Sequence, residues 1–212
     1  MKMEDLVKAV IEGNSSVVSS LVAQRLDEGF KATTILSEGL TPGILKVGEL
    51  FHEGELFLPE MLRSAKAMGS GLLLLEPILS SAKVERIGRV VLGTVTGDLH
   101  DIGKNIVGML MRGAGFEVFD IGINVSADTF IESISTHKAE IVAISALLST
   151  TMPAMEETVN AIKGSDIGNR VKILVGGAPI DQAFASKIGA DSYGEDAPEA
   201  VNKAMELIGQ QK

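Results

Sequence analysis

The sequence predicts an all-α four-helix bundle followed by an α/β domain with a five-stranded parallel sheet. Up to about residue 81, apolar residues recur at helical spacing and no alternating strand pattern is present. From residue 84, short β-rich runs alternate with segments of helix length, which is typical of βαβ units. We therefore expect a helical bundle over 1–83, the α/β domain over 84–212 and a linker at 80–85.

Glycine and proline divide the first half into four short antiparallel helices. Gly13 separates the first helix from the second, and Gly29 ends the second. The tripeptide 41–43 (Thr-Pro-Gly) is expected to break the third helical region, and Pro59 opens a last helix that runs through Leu75. Helices of this length bury their apolar faces by packing as a bundle.

The second half predicts a doubly wound sheet of the flavodoxin-like, or Rossmann-like, kind. Its predicted strands are 89–96, 117–121, 140–146, 171–175 and 191–193. Its predicted helices are 103–113, 126–137, 151–163, 179–188 and 196–208. In such a sheet, ligands bind in the crevice at the carboxyl ends of the strands, so the loops after the strands are where we look for function.

Composition excludes several classes of function. With a formal net charge of -9 and only 4% aromatic residues, the chain has no basic stripe for phosphates and little to stack on bases, which argues against a nucleic-acid partner. No run approaches the length of a membrane span, and acidic residues follow the first methionine where a signal peptide would be basic. We therefore expect a cytoplasmic protein without a membrane partner.

The chain has no cysteine and three histidines. Disulfides and thiolate metal sites are thereby excluded, and histidine is left as the nitrogen ligand for a soft metal. His137 stands at a predicted helix end, where a polar group is common. His52 lies in the helical half and is a weaker candidate for contact with a ligand.

The remaining histidine lies on a glycine-bounded loop between the first predicted strand and its helix. This loop, residues 97–105, reads Gly-Asp-Leu-His-Asp-Ile-Gly-Lys-Asn. Asp98, two residues before His100, can accept one ring N–H and leave the other nitrogen free as a ligand. The free nitrogen makes His100 the leading candidate for a metal ligand.

Two later strand ends are predicted to face the same crevice. The segment 145–151 is rich in hydroxyl groups, which both donate and accept hydrogen bonds. Gly176 and Gly177 follow the fourth strand, and a glycine pair lets a ligand approach the backbone without a Cβ in the way. Together these loops predict a slot for a long, partly polar group, with a histidine at its mouth.

These three motifs, in this order and approximate spacing, resemble those of the cobalamin-binding corrinoid proteins of methyltransferase systems, including the cobalamin module of methionine synthase. The matching residues are Asp98, His100 and Gly103, then Ser145 and Leu147, then Gly176 and Gly177. The resemblance covers essentially the whole chain, since that family places a helical cap before a Rossmann-like domain. The segment 48–61 resembles the part of the cap that covers the corrin.

The resemblance implies a role for each matching residue. His100 would be the lower axial ligand of cobalt, in place of the dimethylbenzimidazole of the cofactor, and Asp98 would accept the other imidazole N–H. Thr151 would extend this relay, although the family commonly has serine there. The other binding residues implied are Asp101, Ile102, Gly103, Ser145, Leu147, Ser149, Gly176 and Gly177, with Phe51, Phe57 and Leu58 in the cap.

The resemblance also implies a function. The chain would be a methyl-carrier subunit rather than a complete enzyme, and its cofactor would alternate between methylcobalamin and cob(I)alamin. Its partners would be a substrate-specific methyltransferase, a second methyltransferase that acts on tetrahydrofolate or coenzyme M, and a reductive activase. A phenyl methyl ether or a methylamine is the expected methyl source. A homodimer stays open.

Several alternatives remain at this stage. A cobalamin-dependent regulatory sensor could use the same fold, as could the cobalamin subunit of a carbon-skeleton mutase. Asp98, His100 and Asp101 could instead hold a hard metal or act as general acid and base. A flavin site is disfavoured because Tyr193 is the sole tyrosine and tryptophan is lacking, and a receiver domain because Ser145 stands where a phosphoacceptor aspartate would be needed.

Overall fold

The computed structural model describes residues 3–81 and 86–209. The chain falls into two compact units. One comprises Met1–Arg86 and Met109–Gly115, and the other comprises Ile87–Gly108 and Phe116–Lys212. The predicted linker at 80–85 falls largely on residues 82–85, which lie outside the described residues.

The first unit is helical, as predicted. Its helices are α1 (Glu4–Ile11), α2 (Ser15–Asp27), α3 (Ala32–Ile35), α4 (Thr41–His52) and α5 (Leu58–Ser81). A π-helical turn, Leu36–Leu40, joins α3 to α4. The Asn14 side chain accepts a hydrogen bond from the N–H of Val17 and so caps the start of α2. None of the helices in the described ranges is long and apolar enough to cross a bilayer.

The prediction that residues 41–43 break the third helical region was wrong. The chain stays helical there, and the N–H of Thr41 donates to the carbonyl of Leu36, five residues earlier. Pro42 lies in the first turn of α4, where a missing N–H costs little, and the wider π turn makes room before it. The last helix also continues past Leu75 to Ser81, with Pro77 inside it.

Two glycines bring the third helical region close to α1. A Cβ on Gly39 would lie 2.5 Å from Cδ2 of Leu6, and one on Gly43 would lie 2.7 Å from Cβ of Val10. Both positions therefore lack room for a side chain. The fully buried apolar side chains of this unit include Leu6, Val10, Val18, Val22, Ile35, Leu40, Val47 and Leu75.

The second unit contains a five-stranded parallel sheet with the order β2-β1-β3-β4-β5, which confirms the predicted doubly wound topology. Its strands are β1 (Arg89–Thr94), β2 (Glu117–Asp120), β3 (Ile141–Ser145), β4 (Lys172–Gly176) and β5 (Ser192–Gly194). Its helices are α6 (Ile102–Gly113, of which 109–113 belong to the first unit), α7 (Ala127–His137), α8 (Met152–Gly164), α9 (Gln182–Ile188) and α10 (Ala197–Gly209).

Helix α9 begins three residues later than predicted. Asp181 has an extended backbone and its side chain accepts a hydrogen bond from the N–H of Phe184 at 2.7 Å, so it acts as the N-cap. The preceding residues, from Pro179, form part of the loop after β4. This leaves a longer loop at the carboxyl edge of the sheet than the sequence pattern predicts.

The strand register places the carboxyl ends of β1, β3, β4 and β5 in one row. Thr94 of β1 pairs with Ser145 of β3, Ser145 with Gly176 of β4, and Gly176 with Gly194 of β5. Because β1, β3 and β4 are largely buried, packing on both faces of the sheet fixes this register. The loops that carry the predicted site residues start from this row.

Candidate functional site

Asp98 is the centre of the hydrogen-bond network at the carboxyl edge of the sheet. Its side chain is fully buried. Its Oδ1 accepts from the N–H of His100 at 3.0 Å and lies 2.7 Å from Nδ1 of the same residue. Its Oδ2 accepts from the N–H of Leu147 at 2.7 Å, from Oγ1 of Thr151 at 2.8 Å and, over a longer distance of 3.4 Å, from the N–H of Leu148. The carboxylate therefore joins the loops after β1 and β3.

This environment keeps Asp98 ionised. Burial by itself would raise the pKa of the carboxyl group, because it removes water from the charged form. The hydrogen bonds donated by Leu147, His100 and Thr151 outweigh burial and hold the pKa of Asp98 well below its usual range. A permanent carboxylate thus faces the imidazole.

His100 presents one ring nitrogen to Asp98 and leaves the other available. In the neutral imidazole, Nδ1 carries the proton that the carboxylate accepts, so Nε2 has a free lone pair. Over residues 3–81 and 86–209, Nε2 has no hydrogen-bond partner, and the side chain is 49% exposed. The carbonyl of His100 accepts from Oγ1 of Thr94 at 3.0 Å, which fixes the backbone below the ring.

Thr151 lies beside Asp98. Its hydroxyl is within 2.8 Å of both Oδ2 of Asp98 and the carbonyl of Leu148, so its single proton has two acceptors. Ser145 ends β3, and Ser149 opens the short 3₁₀ turn that leads into α8. Neither of these serine hydroxyls is hydrogen-bonded to Asp98.

The predicted glycines differ in what surrounds them. Gly177 has a φ of +135°, and a Cβ there would lie 1.8 Å from the carbonyl oxygen of Ala146. Its side-chain position is therefore filled by backbone of the neighbouring loop and not left open for a ligand. A Cβ on Gly176 would lie 3.0 Å from the carbonyl of Gly194, whereas one on Gly103 would meet nothing within 4 Å. Of the three, Gly103 leaves open space.

Exposed apolar side chains form an apolar rim on the histidine loop and on the loops that follow the neighbouring strands. We use this name for the exposed apolar side chains that follow β1, β2 and β3 at the same edge of the sheet: Leu99, Ile102, Ile123, Leu147 and Leu148. Leu99, Ile123 and Leu148 were not predicted as site residues, because single apolar residues in loops give no sequence signal. Large apolar groups exposed together indicate a surface that binds something apolar.

The remaining predicted residues make no hydrogen bond to Asp98 that the described part of the chain shows. The side chain of Asp101 accepts a hydrogen bond from Asn105 in the first turn of α6. Phe51 lies near the end of α4, and Phe57 and Leu58 lie at the start of α5 with exposed side chains. All three belong to the first unit, and their contact with a cofactor stays a prediction.

His137 is not part of the site network. His137 stacks on Phe119, with ring centroids 3.8 Å apart. The side chain of His52 lies outside the described residues.

The backbone groups of the site were not predicted from the sequence. The N–H groups of Leu147 and Leu148 donate to Asp98, and Asn124, in the loop after β2, contacts the backbone on both sides of the peptide bond that precedes Asp98. Backbone donors carry no residue-type signal. Asn124 did carry one, since an asparagine after a strand often adopts a left-handed conformation.

The donor set fits cobalamin and does not fit a bare hard metal. The described residues contain no cluster of three or more His, Asp or Glu side chains that could hold an ion. Both oxygens of Asp98 are already occupied by hydrogen-bond donors. His100 Nε2 would be the protein nitrogen available to the cobalt of a cobalamin, and the exposed apolar rim at the same edge of the sheet would suit the apolar corrin.

Comparison with known families agrees with this geometry. Two family profiles, both described as B12 binding domains, match residues 88–202 and 3–76. The first covers the α/β unit up to α10, and the second covers the helical half.

Individual relatives extend over most of the chain. Dimethylamine corrinoid protein 3 of Methanosarcina acetivorans is 47% identical over 82% of this chain and 82% of its own length. Trimethylamine corrinoid protein 2 of the same organism is 41% identical over 98% of each chain. The methanol:cobalamin methyltransferase complex MtaBC from Methanosarcina barkeri contains a chain that matches with a TM-score of 0.83 and 31% identity, over 98% of this chain and 79% of that one. The protein therefore belongs to the B12-binding corrinoid proteins of methyltransferase systems.

Proposed function

We propose that the protein carries a methyl group on cobalamin between two methyltransferases, and that His100 is the lower axial ligand of the cobalt. The observation that carries this proposal is the Thr151–Asp98–His100 chain, with Nε2 of His100 free. Bound cobalamin supplies a cobalt centre that accepts and releases a methyl group. A protein nitrogen below the cobalt requires that the nucleotide base of the vitamin be displaced.

The protein residues would adjust the strength of the axial ligand. Asp98 draws on the Nδ1 proton, which makes Nε2 more electron-rich and fixes the ring orientation. Thr151 donates to the other carboxylate oxygen, which moderates the pull of Asp98 on the imidazole. An imidazole whose basicity is set in this way would hold the cobalt through Nε2 with a strength that Asp98 and Thr151 determine.

The apolar rim would exclude water from the corrin. Leu99 and Ile102 are among the most exposed apolar residues of the chain, and such groups are stabilised when a large apolar ring covers them. We place Ser145, Ser149, Gly103 and Gly176 along the buried nucleotide tail, and Phe51, Phe57 and Leu58 against the methyl-bearing face. Cap residues of this kind would have to move aside for each methyltransferase.

A methylamine is the methyl source that the relatives support. Two of the proteins compared above are named for dimethylamine and trimethylamine, and the third belongs to a methanol system. A phenyl methyl ether, the other predicted source, has no support among them. We propose a methylamine-specific methyltransferase as the first partner, a second methyltransferase to tetrahydrofolate or coenzyme M, and a reductive activase. The cytoplasmic location and the homodimer stay predictions.

The axial ligand can be tested by electron paramagnetic resonance of the Co(II) form. The protein would be labelled with nitrogen-15 histidine and reconstituted with hydroxocobalamin before reduction. A protein nitrogen then splits the cobalt lines into doublets, whereas the unlabelled base of the vitamin splits them into triplets. We expect doublets for the natural protein and their loss in His100→Ala, with His137→Gln as the control that keeps them. Triplets from the natural protein would refute the ligand assignment.

The carrier role needs a separate assay. The reconstituted protein would be reduced and incubated with dimethylamine- or trimethylamine-specific methyltransferases and their substrates. We expect the absorption spectrum of methylcobalamin to appear with one of them. A protein that binds cobalamin through His100 and accepts no methyl group from amine, methanol or ether systems would instead support the regulatory alternative.

A further inference from the structure

The loop after β2 is hydrogen-bonded to the end of β1 and to the first two residues of the histidine loop. The N–H of Thr94 donates to the carbonyl of Gly122 at 3.0 Å, and the N–H of Val125 donates to the carbonyl of Thr94 at 2.9 Å. Val95 forms a parallel bridge with Val125, and the Thr96 hydroxyl donates to the carbonyl of Val125 at 2.9 Å. The β1–β2 pairing thus continues past the ends of both strands.

Asn124 is the residue of this loop that contacts Asp98. Its side-chain Oδ1 accepts a hydrogen bond from the N–H of Gly97 at 2.7 Å. Its own N–H donates to the carbonyl of Asp98 at 3.0 Å. The two bonds hold the N–H of Gly97 and the carbonyl of Asp98, the outer backbone groups of this dipeptide.

The backbone at this contact adopts an uncommon conformation. Asn124 has a φ of +52°, which among the described non-glycine residues is shared with Lys138 at the end of α7. Gly97 is also left-handed, with a φ of +82°. A left-handed asparagine costs free energy and persists where its surroundings fix it. Here the surroundings are the two bonds to the histidine loop.

The position of the Asp98 backbone decides how the carboxylate meets its partners. Since only two rotatable bonds join the carboxylate of an aspartate to its backbone, a shift of the backbone moves the carboxylate oxygens with it. On one side they meet His100 within its own loop, and on the other they meet Leu147 and Thr151 in a different loop. Since hydrogen bonds weaken steeply with distance and angle, a small displacement at residues 97–98 would loosen the imidazole or the β3 loop.

From these contacts we propose that Asn124 is a positioning residue for the axial ligand. Its side-chain oxygen fixes Gly97 and its N–H fixes Asp98, so that the carboxylate holds the His100 ring under the cobalt. This inference rests on the proposed role of His100. On this proposal, the loop after β2 helps to determine the fraction of the cobalt that is coordinated by the protein nitrogen.

Two substitutions separate the side-chain bond from the backbone conformation. Asn124→Gly accepts the left-handed φ without strain but removes the oxygen that Gly97 donates to. Asn124→Asp keeps an acceptor oxygen at the same distance and is among the residues that tolerate a left-handed φ. If Asn124 serves only to form the turn, the glycine variant behaves like the natural protein. If its oxygen positions the loop, only the aspartate variant does.

The readout is the nitrogen splitting of the Co(II) spectrum with nitrogen-15 histidine, measured together with the thermal stability of each cobalamin-free variant. Loss of one hydrogen bond predicts that the ratio of uncoordinated to coordinated His100 rises about two- to tenfold in Asn124→Gly and returns toward the natural value in Asn124→Asp. Doublets of unchanged intensity in Asn124→Gly would overturn the inference, as would equal losses in both variants. Absence of doublets from the natural protein would instead mean that the proposed role of His100 has failed.

Discussion

At the scale of single residues, Asp98 is a buried carboxylate whose two oxygens face donors from two different loops. Burial of a charge is unfavourable unless hydrogen bonds replace the lost water. Here the N–H groups of His100, Leu147 and Leu148, the imidazole and the Thr151 hydroxyl supply that replacement. The same bonds that make the carboxylate tolerable also determine which way the imidazole points. Stability and ligand geometry are therefore linked at this residue.

Asp98→Asn is expected to lower both the stability of the protein and the strength of the axial ligand. The amide presents an N–H₂ group where the carboxylate accepted hydrogen bonds, so at least one donor is left unpaired. We expect the free energy of unfolding to fall by about 1–3 kcal/mol. Urea unfolding of the cobalamin-free protein measures this, with Asp166→Asn, an exposed site in the loop after α8, as the control for charge.

The difference in folding stability between the natural protein and Asp98→Asn should depend on pH. Because the pKa of Asp98 is lowered in the folded state, its contribution to stability is present above the pKa of an unfolded aspartate, about 3.9, and is lost as the pH falls below that value. The stability difference between the natural protein and Asp98→Asn should be constant near neutral pH and should shrink below about pH 4. A difference that grows on acidification would contradict this account.

At the scale of elements, the loops after β3 and β4 are held closer than side chains allow. Gly177 has no Cβ, and the carbonyl of Ala146 occupies that space. This contact lies one residue before Leu147, whose N–H reaches Asp98. The spacing of β3 and β4 at their carboxyl ends is therefore connected to the position of the carboxylate.

Gly177 and Gly103 should respond in opposite ways to substitution by alanine. In Gly177→Ala the new methyl group would meet backbone, and the φ of +135° is unfavourable for alanine, so we expect a loss of about 1–3 kcal/mol or more of folding free energy. In Gly103→Ala the methyl group meets nothing within 4 Å, and folding stability should stay the same or rise by up to about 1 kcal/mol.

The affinity for cobalamin gives a second test of Gly103. If Gly103 makes room for the cofactor, Gly103→Ala should weaken cobalamin binding while the cobalamin-free protein stays stable. Thermal unfolding and titration with hydroxocobalamin measure the two effects separately. Unchanged affinity in Gly103→Ala would show that the open space at this position does not serve the cofactor.

The elements themselves were predictable where a local pattern determines them. The strands of the sheet were predicted to within two residues at each end, because buried parallel strands are short apolar runs bounded by polar loops. The helical path through Pro42 was not, since a proline stops a helix in some contexts and begins one in others, and the π turn before it depends on packing. Likewise, the role of Asn124 could not be predicted, because it depends on a contact with Gly97, about 27 residues away in sequence.

At the scale of the whole molecule, the chain is acidic and falls into two compact units. The pairing of Asp98 with His100 could be predicted from the sequence, because a carboxylate two residues before a histidine on a loop can accept one of its ring N–H groups. The backbone donors of Leu147 and Leu148 could not, since any residue but proline offers an N–H. The three-dimensional fold alone determines which N–H groups meet the carboxylate.

Cobalamin binding should stabilise the whole protein by mass action. A ligand that binds the folded state alone adds about 2.7 kcal/mol at one hundred times its Kd. For a chain of this size, that corresponds to a rise in Tm of about 5–11 °C. Differential scanning calorimetry with and without hydroxocobalamin measures it, and it also shows whether the two units unfold together. A Tm independent of the hydroxocobalamin concentration would contradict B12 binding to the folded chain.

The unequal exposure of Asp98 and His100 determines how hydrogen exchange with solvent takes place at this pair. Asp98 has no exposed surface, whereas half of the imidazole side chain lies open. The exchangeable proton of the pair is the one on Nδ1 of His100, and a deuteron from bulk water therefore reaches it through the exposed imidazole and not through the buried carboxylate. On the proposal that cobalamin binds at His100, the bound cofactor would cover this route as well, and the rate of exchange at Nδ1 would report how often it lifts away.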